Sequence, residues 1–321
     1  MKIKIYIWFF FFILFPIFYS SPVSASTNVD TFRVTFTPQS EKWTTIYKDS
    51  IYWLDPNGLI RGYDTKNKTE ALLFEGEQPF TGFLGLVAYD GRYIVYNRFE
   101  DVVSNVNVYD TLKKENISVT EGNGSRWATD YDNNTVVYID GGACGKLYAY
   151  SLQNNNSKLI NDSVCGGARV SKSIVVWTTS SEITGYNLLT DRIFQIASID
   201  GSSSVPDISG NYVTWILSNG NTGTLYVKNL KTGNEIVRYT GNYNMNWPSI
   251  SQKYVVWGKN TSQHISGVEG INLKTGELFE IQEQGPHQND NLNPIIEDNL
   301  VTWMAWRTGN GDIYGSILTK E

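Results

Sequence analysis

Histidine, cysteine and methionine are scarce in this chain of 321 residues, which has only two, two and three of them. A metal centre built from several histidines is therefore excluded, because His264 and His287 are the only imidazoles. Phosphate-binding loops, dinucleotide-binding glycine fingerprints and nucleophile elbows are missing as well. Asp130 to Asn134 begins like a calcium loop but lacks the required glycine and distal glutamate. We therefore expect neither a metal nor another cofactor.

Charged residues are also few, and basic residues are fewer than acidic ones. Charged residues make up 18% of the chain and hydrophobic residues 41%, which is too apolar for a disordered chain and too weakly charged for a coiled coil. There are 26 basic and 32 acidic side chains, a formal net charge of −6. Such a surface repels phosphate backbones, so we expect no nucleic acid among the partners.

The first 25 residues have the layout of a secretory signal peptide. Lys2 and Lys4 precede an apolar run from Ile5 to Tyr19, and the small residues Val23 and Ala25 fit a cut after Ala25. The run is shorter than the roughly 20 residues that span a bilayer as a helix. We expect a cleaved signal and a secreted or cell-surface protein without a stable membrane span; a retained anchor is the alternative.

A short β run that ends in an aromatic residue recurs seven times along the rest of the chain. Successive closing aromatics, which we call the anchors, lie 38 to 46 residues apart. One four-stranded propeller blade takes about 40 to 45 residues. The anchors, which should pack between blades, are Trp53, Tyr96, Tyr138, Trp177, Trp215, Trp257 and Trp303.

The remainder of each period fits four strands joined by turns, and no long helical pattern interrupts it. The last repeat has no fourth strand, whereas Thr31 to Thr37 alternates polar and apolar residues and belongs to no repeat. We predict an all-β fold, a seven-bladed β-propeller of four-stranded antiparallel blades, closed by this N-terminal strand in the last blade. It forms a single domain over residues 26–321, and we expect a monomer. A parallel β-helix is the alternative, but it would need no closing strand.

The two cysteines fall in one repeat. Cys144 follows the second strand of blade 3, and Cys165 follows its fourth strand. In a propeller both positions lie on the same face, and an exported protein with an even number of cysteines usually pairs them. We predict a disulfide between Cys144 and Cys165. Free or metal-binding thiols are the competing interpretation.

The runs Ser209-Gly210-Asn211-Tyr212-Val213-Thr214-Trp215 and Gly311-Asp312-Ile313-Tyr314 resemble TolB-like propeller repeats, especially those of archaeal and bacterial secreted and surface-layer-associated proteins. The resemblance extends over nearly the whole mature chain. It departs from TolB itself, whose turns are Ser-Pro-Asp-Gly where this chain has Asp90-Gly91-Arg92 or Ser209-Gly210-Asn211. The resemblance implies a binding or interaction platform and supplies no catalytic residue that can be transferred.

Several aromatic residues lie outside the anchor positions. Trp43 and Trp247 lie ten residues before their anchors, and Trp127 lies eleven before Tyr138, where each inner strand begins. Trp306 follows the second strand of blade 7 and reaches the same face. Aromatic rings near Asn and Asp suit sugars or peptides. These residues are our candidate ligand site at the channel mouth; the alternative is that the rings plug the channel.

His287 lies in the connector from blade 6 to blade 7, and such connectors line the channel mouth. We include it as a candidate ligand-binding residue, with a solvated loop histidine as the alternative. The preferred functional hypothesis is a non-catalytic module that binds a protein or polysaccharide at this face. A propeller-type glycan lyase or hydrolase and a structural envelope component are the rivals.

Overall fold

The computed structural model describes residues 27–37, 39–73, 83–100, 102–142, 144–219, 221–261, 265–286, 293–306 and 310–320. In these ranges the chain forms seven antiparallel sheets and no helix. The predicted seven-bladed propeller is therefore confirmed. The described part contains no helical segment with the length and apolar character that a bilayer crossing requires.

Blades 1 to 3 each run from an inner strand at the channel to an outer strand at the rim. Blade 1 has β2 (Lys42–Tyr47), β3 (Ser50–Leu54), β4 (Ile60–Asp64) and β5 (Thr69–Leu72). Blade 2 has β6 (Phe83–Tyr89), β7 (Tyr93–Glu100), β8 (Val103–Asp110) and β9 (Glu115–Ser118). Blade 3 has β10 (Arg126–Asp132), β11 (Thr135–Asp140), β12 (Cys144–Ser151) and β13 (Asn156–Cys165).

Blades 4 to 6 repeat this order. Blade 4 has β14 (Ala168–Ser171), β15 (Ile174–Thr178), β16 (Glu182–Asn187) and β17 (Arg192–Ser198). The inner strand of blade 5 is split into β18 (Ser202–Ser203) and β19 (Asp207–Ser209), followed by β20 (Tyr212–Asn219), β21 (Thr222–Asn229) and β22 (Glu235–Gly241). Blade 6 has β23 (Asn244–Ile250), β24 (Tyr254–Asn260), β25 (Ile265–Asn272) and β26 (Leu278–Pro286).

Blade 7 joins the two ends of the chain. Its inner strands are β27 (Ile295–Glu297), β28 (Leu300–Ala305) and β29 (Asp312–Lys320), and its outer strand is β1 (Thr27–Arg33), which pairs antiparallel with β29. Closure by the N-terminal strand is thus confirmed, but the predicted bounds were four residues too late. The ladder ends early because the amides of Val34 and Thr35 both donate to the carbonyl of Ile313, at 2.8 and 3.3 Å.

The anchors form the core between blades, as predicted. All seven are less than 9% exposed, and six are at most 3% exposed. Each core cluster combines residues of neighbouring blades; Trp215 of blade 5, for example, packs with Val176 and Ile183 of blade 4. Burial of a large apolar side chain is worth about 1.5–3 kcal/mol. The anchors therefore hold the ring together by joining one blade to the next.

Candidate functional site

A central channel of about 560 Å³ runs along the axis of the ring. The inner strands of successive blades contact one another all the way round, including blade 7 with blade 1. The channel is therefore enclosed laterally by β-structure and is entered from its ends. Its volume lies within the roughly 300–1,000 Å³ range typical of ligand pockets.

One residue per blade faces the channel at the same depth, eight positions before the anchor. Each pairs with the residue immediately before its anchor, so all seven stand at the same level of the ring. We call this ring the waist; from blade 1 to blade 7 it consists of Thr45, Ala88, Asp130, Arg169, Asp207, Ser249 and Ile295.

β-Bulges immediately before the waist help to point its side chains into the channel. In blades 2 and 3 the register shifts just before Ala88 and Asp130, and in blade 6 it shifts just before Ser249. A bulge adds one residue to a strand and redirects the side chains next to it. This local irregularity, repeated in several blades, sets the lining of the channel.

The waist has a polar half and a mainly apolar half. Blades 3 to 6 contribute two carboxylates, a guanidinium and a hydroxyl, whereas blades 7 and 2 contribute Ile295 and Ala88, and blade 1 contributes Thr45. Blades that are consecutive in the chain are neighbours in the ring, so the polar residues of blades 3 to 6 stand side by side. A ligand in the channel would meet hydrogen-bonding groups on one side and methyl groups on the other.

Asp130 lies on the polar half, surrounded by protein but still in contact with the channel space. Its Oδ2 accepts the amide of Val170 in blade 4 at 2.7 Å. Burial raises the pKa of the Asp130 carboxyl to about 7, although the positive charge of Arg169 opposes that shift. Asp130 thus links two blades and titrates near neutral pH.

Asp207 and Ser249 repeat the same link in later blades. Asp207 Oδ2 accepts the amide of Ile250 at 2.8 Å, and Ser249 Oγ accepts the amide of Ile296 at 3.2 Å. Burial also raises the pKa of Asp207, again against the charge of Arg169. In each case a waist side chain accepts a hydrogen bond from the inner strand of the following blade. Part of the hydrogen-bonding capacity of the waist therefore joins neighbouring blades.

Arg169 stands between the two carboxylates in blade order. Its Nη1 donates to the carbonyls of Thr129 and Ala168, at 2.9 and 3.2 Å. Within the described ranges no carboxylate lies within ion-pair distance of this guanidinium. Since a guanidinium carries five N–H donors, Arg169 has donor capacity left for the channel.

At one end of the channel, the turns after the inner strands form what we call the turn face. Asp132 Oδ2 accepts the amide of Lys172 at 2.5 Å, and Ser251 Oγ donates to the carbonyl of Asp298 at 2.8 Å. Burial and the nearby charges of Asp298 and Asp132 raise the pKa of Glu297 to about 7, but its side chain is exposed and water screens it more. No three His, Cys, Asp or Glu side chains among the described residues are placed to share a metal ion.

The opposite end, where inner strands begin and second strands end, is the connector face, and Trp43 and Trp247 lie there. Both have a left-handed backbone, with φ of 58° and 51°, and both occupy a bulge. Their side chains are 46% and 41% exposed. Trp247 lines the channel itself, whereas the ring of Trp43 lies beside Gly85 of blade 2.

Trp306 and Trp127 differ from each other. Trp306 directly follows β28, on the connector face, and is 40% exposed. Trp127 is partly buried against the core shared by blades 3 and 4, and its Nε1 donates to the carbonyl of Gly142 at 3.2 Å. Blades 6, 7 and 1 are consecutive around the ring, so Trp247, Trp306 and Trp43 belong to one sector, with Trp127 outside it.

The predicted disulfide is confirmed, and it lies on the connector face. Cys144 and Cys165 are directly opposite each other in β12 and β13, with Cα atoms 4.1 Å apart, and their sulfurs are bonded. His287 and the signal segment of residues 1–25 lie outside the described residues. Their roles stay predictions.

The waist was missed by sequence reasoning because its members share no residue type. The residues change from threonine to alanine, aspartate, arginine, serine and isoleucine around the ring. A signal was nevertheless present, since counting eight positions back from every anchor finds all seven. No local sequence motif contains this site, because it is assembled from one residue in each of seven distant repeats.

No protein-family model matches this sequence, and no curated sequence is similar enough to count as a relative. Several solved structures are similar in fold. An oligogalacturonate lyase in complex with manganese has a TM-score of 0.61 at 12% identity, over 92% of this chain and 98% of that one. The oligogalacturonate lyase of Vibrio parahaemolyticus has a TM-score of 0.60 at 11% identity, over 92% and 98%. An uncharacterised protein of Listeria monocytogenes has a TM-score of 0.58 at 9% identity, over 85% and 92%. At such identities the likeness concerns the fold alone.

Proposed function

We propose that this chain is an exported, TolB-like propeller that binds a protein or glycan through its connector face, without catalysis. The observation that carries the proposal is the exposed ring of Trp247 at the channel, with Trp43 and Trp306 in the neighbouring blades. Most other tryptophans described in the fold are buried anchors. Exposed aromatic rings grouped on one face are typical of ligand-binding surfaces.

The backbone at two of these rings supports a functional role. Non-glycine residues with positive φ are uncommon, and a bulky aromatic there is less favourable than Asn, Asp or Gly. Such strain costs on the order of 1–3 kcal/mol per residue and clusters at functional sites. Trp43 and Trp247 both have this strained backbone conformation, at the same position of the repeat. A role in ligand binding accounts for rings held in this conformation and left exposed.

Export is the second part of the proposal. It rests on the signal layout of residues 1–25 and fits the disulfide between Cys144 and Cys165, because disulfides persist in oxidising compartments. The experiment is fractionation of the producing cells followed by N-terminal sequencing. A mature N-terminus at Ser26 outside the cytoplasm supports export, and an uncleaved cytoplasmic chain contradicts it.

An enzyme is the second candidate, favoured by the raised pKa values of Asp130 and Asp207 in the channel. Carboxyl groups whose pKa values are raised inside a pocket are typical of acid–base catalysis. Here, however, each carboxylate already accepts a backbone amide of the next blade. That structural task explains why both are present, so we prefer the non-catalytic role.

The binding proposal is tested by two parallel screens of the mature protein. One is an array of oligosaccharides, and the other is affinity capture from the producer's own envelope fraction followed by binding to the purified candidate. Wild type should bind in one of the screens, and Trp306→Ala should lose that binding. Leu189→Ala, which removes a side chain 82% exposed in an outer turn of blade 4, is the control and should bind normally.

Catalysis is tested on the same glycans by product analysis. Bound glycans should be recovered at their original length after prolonged incubation. Shortened products that disappear in the Asp207→Asn variant would replace the binding role with an enzymatic one.

A further inference from the structure

The waist offers a pattern of groups that the proposed binding function does not yet use. Asp130, Arg169 and Asp207 present an acceptor, a donor and an acceptor on adjacent blades, at one level of the channel. Asp130 uses one carboxylate oxygen and Arg169 one guanidinium nitrogen to bind the backbone of a neighbouring blade, whereas Asp207 accepts the Ile250 amide at Oδ2 and the adjacent Ile208 amide at Oδ1. A carboxylate has about four lone-pair sites and a guanidinium five donors, so each group can still bind a ligand.

The wall opposite these groups has a different character. Ile295 and Ala88 place methyl groups at the same level, and Trp247 lines the channel toward the connector face. A ligand that fits must therefore carry closely spaced hydroxyl groups along one edge and C–H groups along the other. Sugar rings have both, since their hydroxyls lie around the edge and their C–H bonds form apolar faces that stack on aromatic and aliphatic side chains.

The charge of the waist favours a neutral ligand. An anion would be attracted to Arg169 but repelled by Asp130 and Asp207 to the extent that these two carboxyls are ionised, and a cation would be repelled by Arg169 and attracted by the ionised carboxylates. A neutral polyhydroxy group accepts from the guanidinium and donates to the carboxylates without either penalty. Hydrogen bonds in which one partner is charged are roughly twice as strong as those between neutral groups, so neutrality of the ligand does not imply weak binding.

The shape of the channel determines which part of a glycan can reach the waist. The inner strands close the ring laterally, and blades 7 and 1 are joined as the others are. An internal segment of a long chain could reach the waist only by folding back through one opening, or after a chain end had first threaded the whole channel. A free chain end can enter past Trp247 without folding back.

From these features we propose that the waist binds the terminal residue of a neutral glycan, inserted from the connector face with its hydroxyls toward Asp130, Arg169 and Asp207. The inference rests on the proposed binding function and narrows its ligand to neutral sugar chain ends. The tryptophans of the connector face then contact the following sugar residues. Recognition is consequently of chain ends and not of chain interiors.

The test is calorimetric titration of the mature protein with maltohexaose, cellohexaose, laminarihexaose and chitohexaose, and with hexagalacturonate as the charged counterpart. We expect at least one neutral hexasaccharide to bind and hexagalacturonate to bind at least about tenfold more weakly. If maltohexaose is the ligand, α-cyclodextrin, which has no chain end, should fail to bind.

The decisive variant is Ala88→Phe, which fills the channel without removing a hydrogen bond of the ring. It should weaken binding of the neutral hexasaccharide at least about tenfold while leaving the melting temperature within the range of Leu189→Phe, an outer-turn control. If Ala88→Phe does not fold, Ile295→Phe obstructs the same level from another blade.

The outcomes separate the inference from the function on which it rests. Weaker binding in both Trp247→Ala and Ala88→Phe supports the waist inference and the connector-face function together. Loss in Trp247→Ala with unchanged affinity in Ala88→Phe overturns the waist inference and leaves the connector-face function intact. Preference for hexagalacturonate, or no binding of any hexasaccharide, also overturns the inference; a protein captured through Trp306 would then preserve the broader function.

Discussion

Trp43 and Trp247 share one backbone conformation, φ 58° and 51°, although they belong to blades 1 and 6. Each stands ten residues before its anchor and next to a β-bulge, so the two are structural equivalents. Five other blades have a different residue at this position. The pair flanks blade 7, which adds Trp306, and this sector is the part of the connector face that we expect to contact ligand.

Removing an anchor should affect stability far more than removing an exposed ring. Trp215 is 3% exposed between blades 4 and 5, whereas Trp306 is 40% exposed. We expect Trp215→Ala to lower the free energy of unfolding by about 3–5 kcal/mol through the cavity it leaves, and Trp306→Ala to change it by about 0.5 kcal/mol or less. Urea unfolding measures both. Equal losses would show that Trp306 is a packing residue.

The loss of stability in Trp127→Ala should lie between the losses in Trp215→Ala and Trp306→Ala. It packs against the core of blades 3 and 4 and donates a hydrogen bond to the carbonyl of Gly142. We expect Trp127→Ala to cost on the order of 1–3 kcal/mol, since it removes both contacts. Trp127→Phe keeps most of the packing and is the matched variant, which should recover part of the loss. A Trp127→Ala variant as stable as wild type would instead group Trp127 with the exposed tryptophans of the connector face.

Ring closure depends on the N-terminal strand and on a charge pair beside it. Arg33 Nη2 lies 2.7 Å from Oδ1 of Asp312, whose side chain is fully buried. Arg33→Met should remove this charged hydrogen-bond partner of the buried carboxylate and lower the free energy of unfolding by about 1.5–3 kcal/mol. Arg98→Met breaks an exposed pair with Glu100 and should cost at most about 1 kcal/mol. Similar melting temperatures for the two variants would contradict a role of Arg33 in closure.

The disulfide should stabilise blade 3 by restricting the unfolded chain. Cys144 and Cys165 are 21 residues apart, and the chain-entropy model assigns a loop of that size about 3 kcal/mol. The double variant Cys144→Ser with Cys165→Ser should therefore unfold at lower urea concentration. The reduced wild-type protein is the control and should match it. Unchanged midpoints in both samples would mean that the unfolded chain is not restricted by this bond.

Stability should fall with rising pH through the titration of Asp130. Its pKa is raised to about 7 in the fold from an ordinary value near 3.8, so between these limits the folded state holds a proton that the unfolded state has lost. The free energy of unfolding therefore decreases from about pH 4 to about pH 7. Asp130→Asn keeps an acceptor for the Val170 amide but does not titrate. Relative to wild type, this variant should gain stability as pH rises across that range.

The control for this pH effect is Glu297→Gln. Glu297 also has a raised pKa, but it is exposed at the turn face, where water screens its interactions. Its replacement should change the pH profile less than Asp130→Asn does. Parallel profiles for wild type and Asp130→Asn would show that the waist carboxylate titrates as it does in the unfolded chain.

The repeat architecture could be predicted because every blade needs the same physical solution. Anchors such as Trp177 and Trp303 must fill the space between sheets, so an aromatic residue recurs at that position and reveals the period. The closing strand was predicted from its alternation, yet its bounds were displaced because the amides of Val34 and Thr35 leave the ladder at one shared carbonyl. Alternation indicates a strand but does not fix where pairing ends.

The candidate site was predicted only in part. Trp247 and Trp306 were located from their distance to the anchors, since strand direction alone determines the face on which they lie. Asp130 and Arg169 were not found, because a channel-lining position imposes no common residue type, and only the closed ring brings the two together. Asp130 accepts a backbone amide of the next blade and Arg169 donates to a backbone carbonyl of the preceding one, and such backbone partners leave no trace in residue identity.

The most direct test of the central claim compares the ligand affinity of Trp247→Ala with that of Leu189→Ala, using the ligand that the screens identify. Both remove an exposed side chain, but only Trp247 lies at the channel on the connector face. Loss of a stacking ring is worth on the order of 1 kcal/mol or more. We expect the dissociation constant to rise at least about fivefold in Trp247→Ala, with unchanged affinity in Leu189→Ala and intact folding in both. Equal affinities for wild type and Trp247→Ala would contradict the connector face as the binding surface.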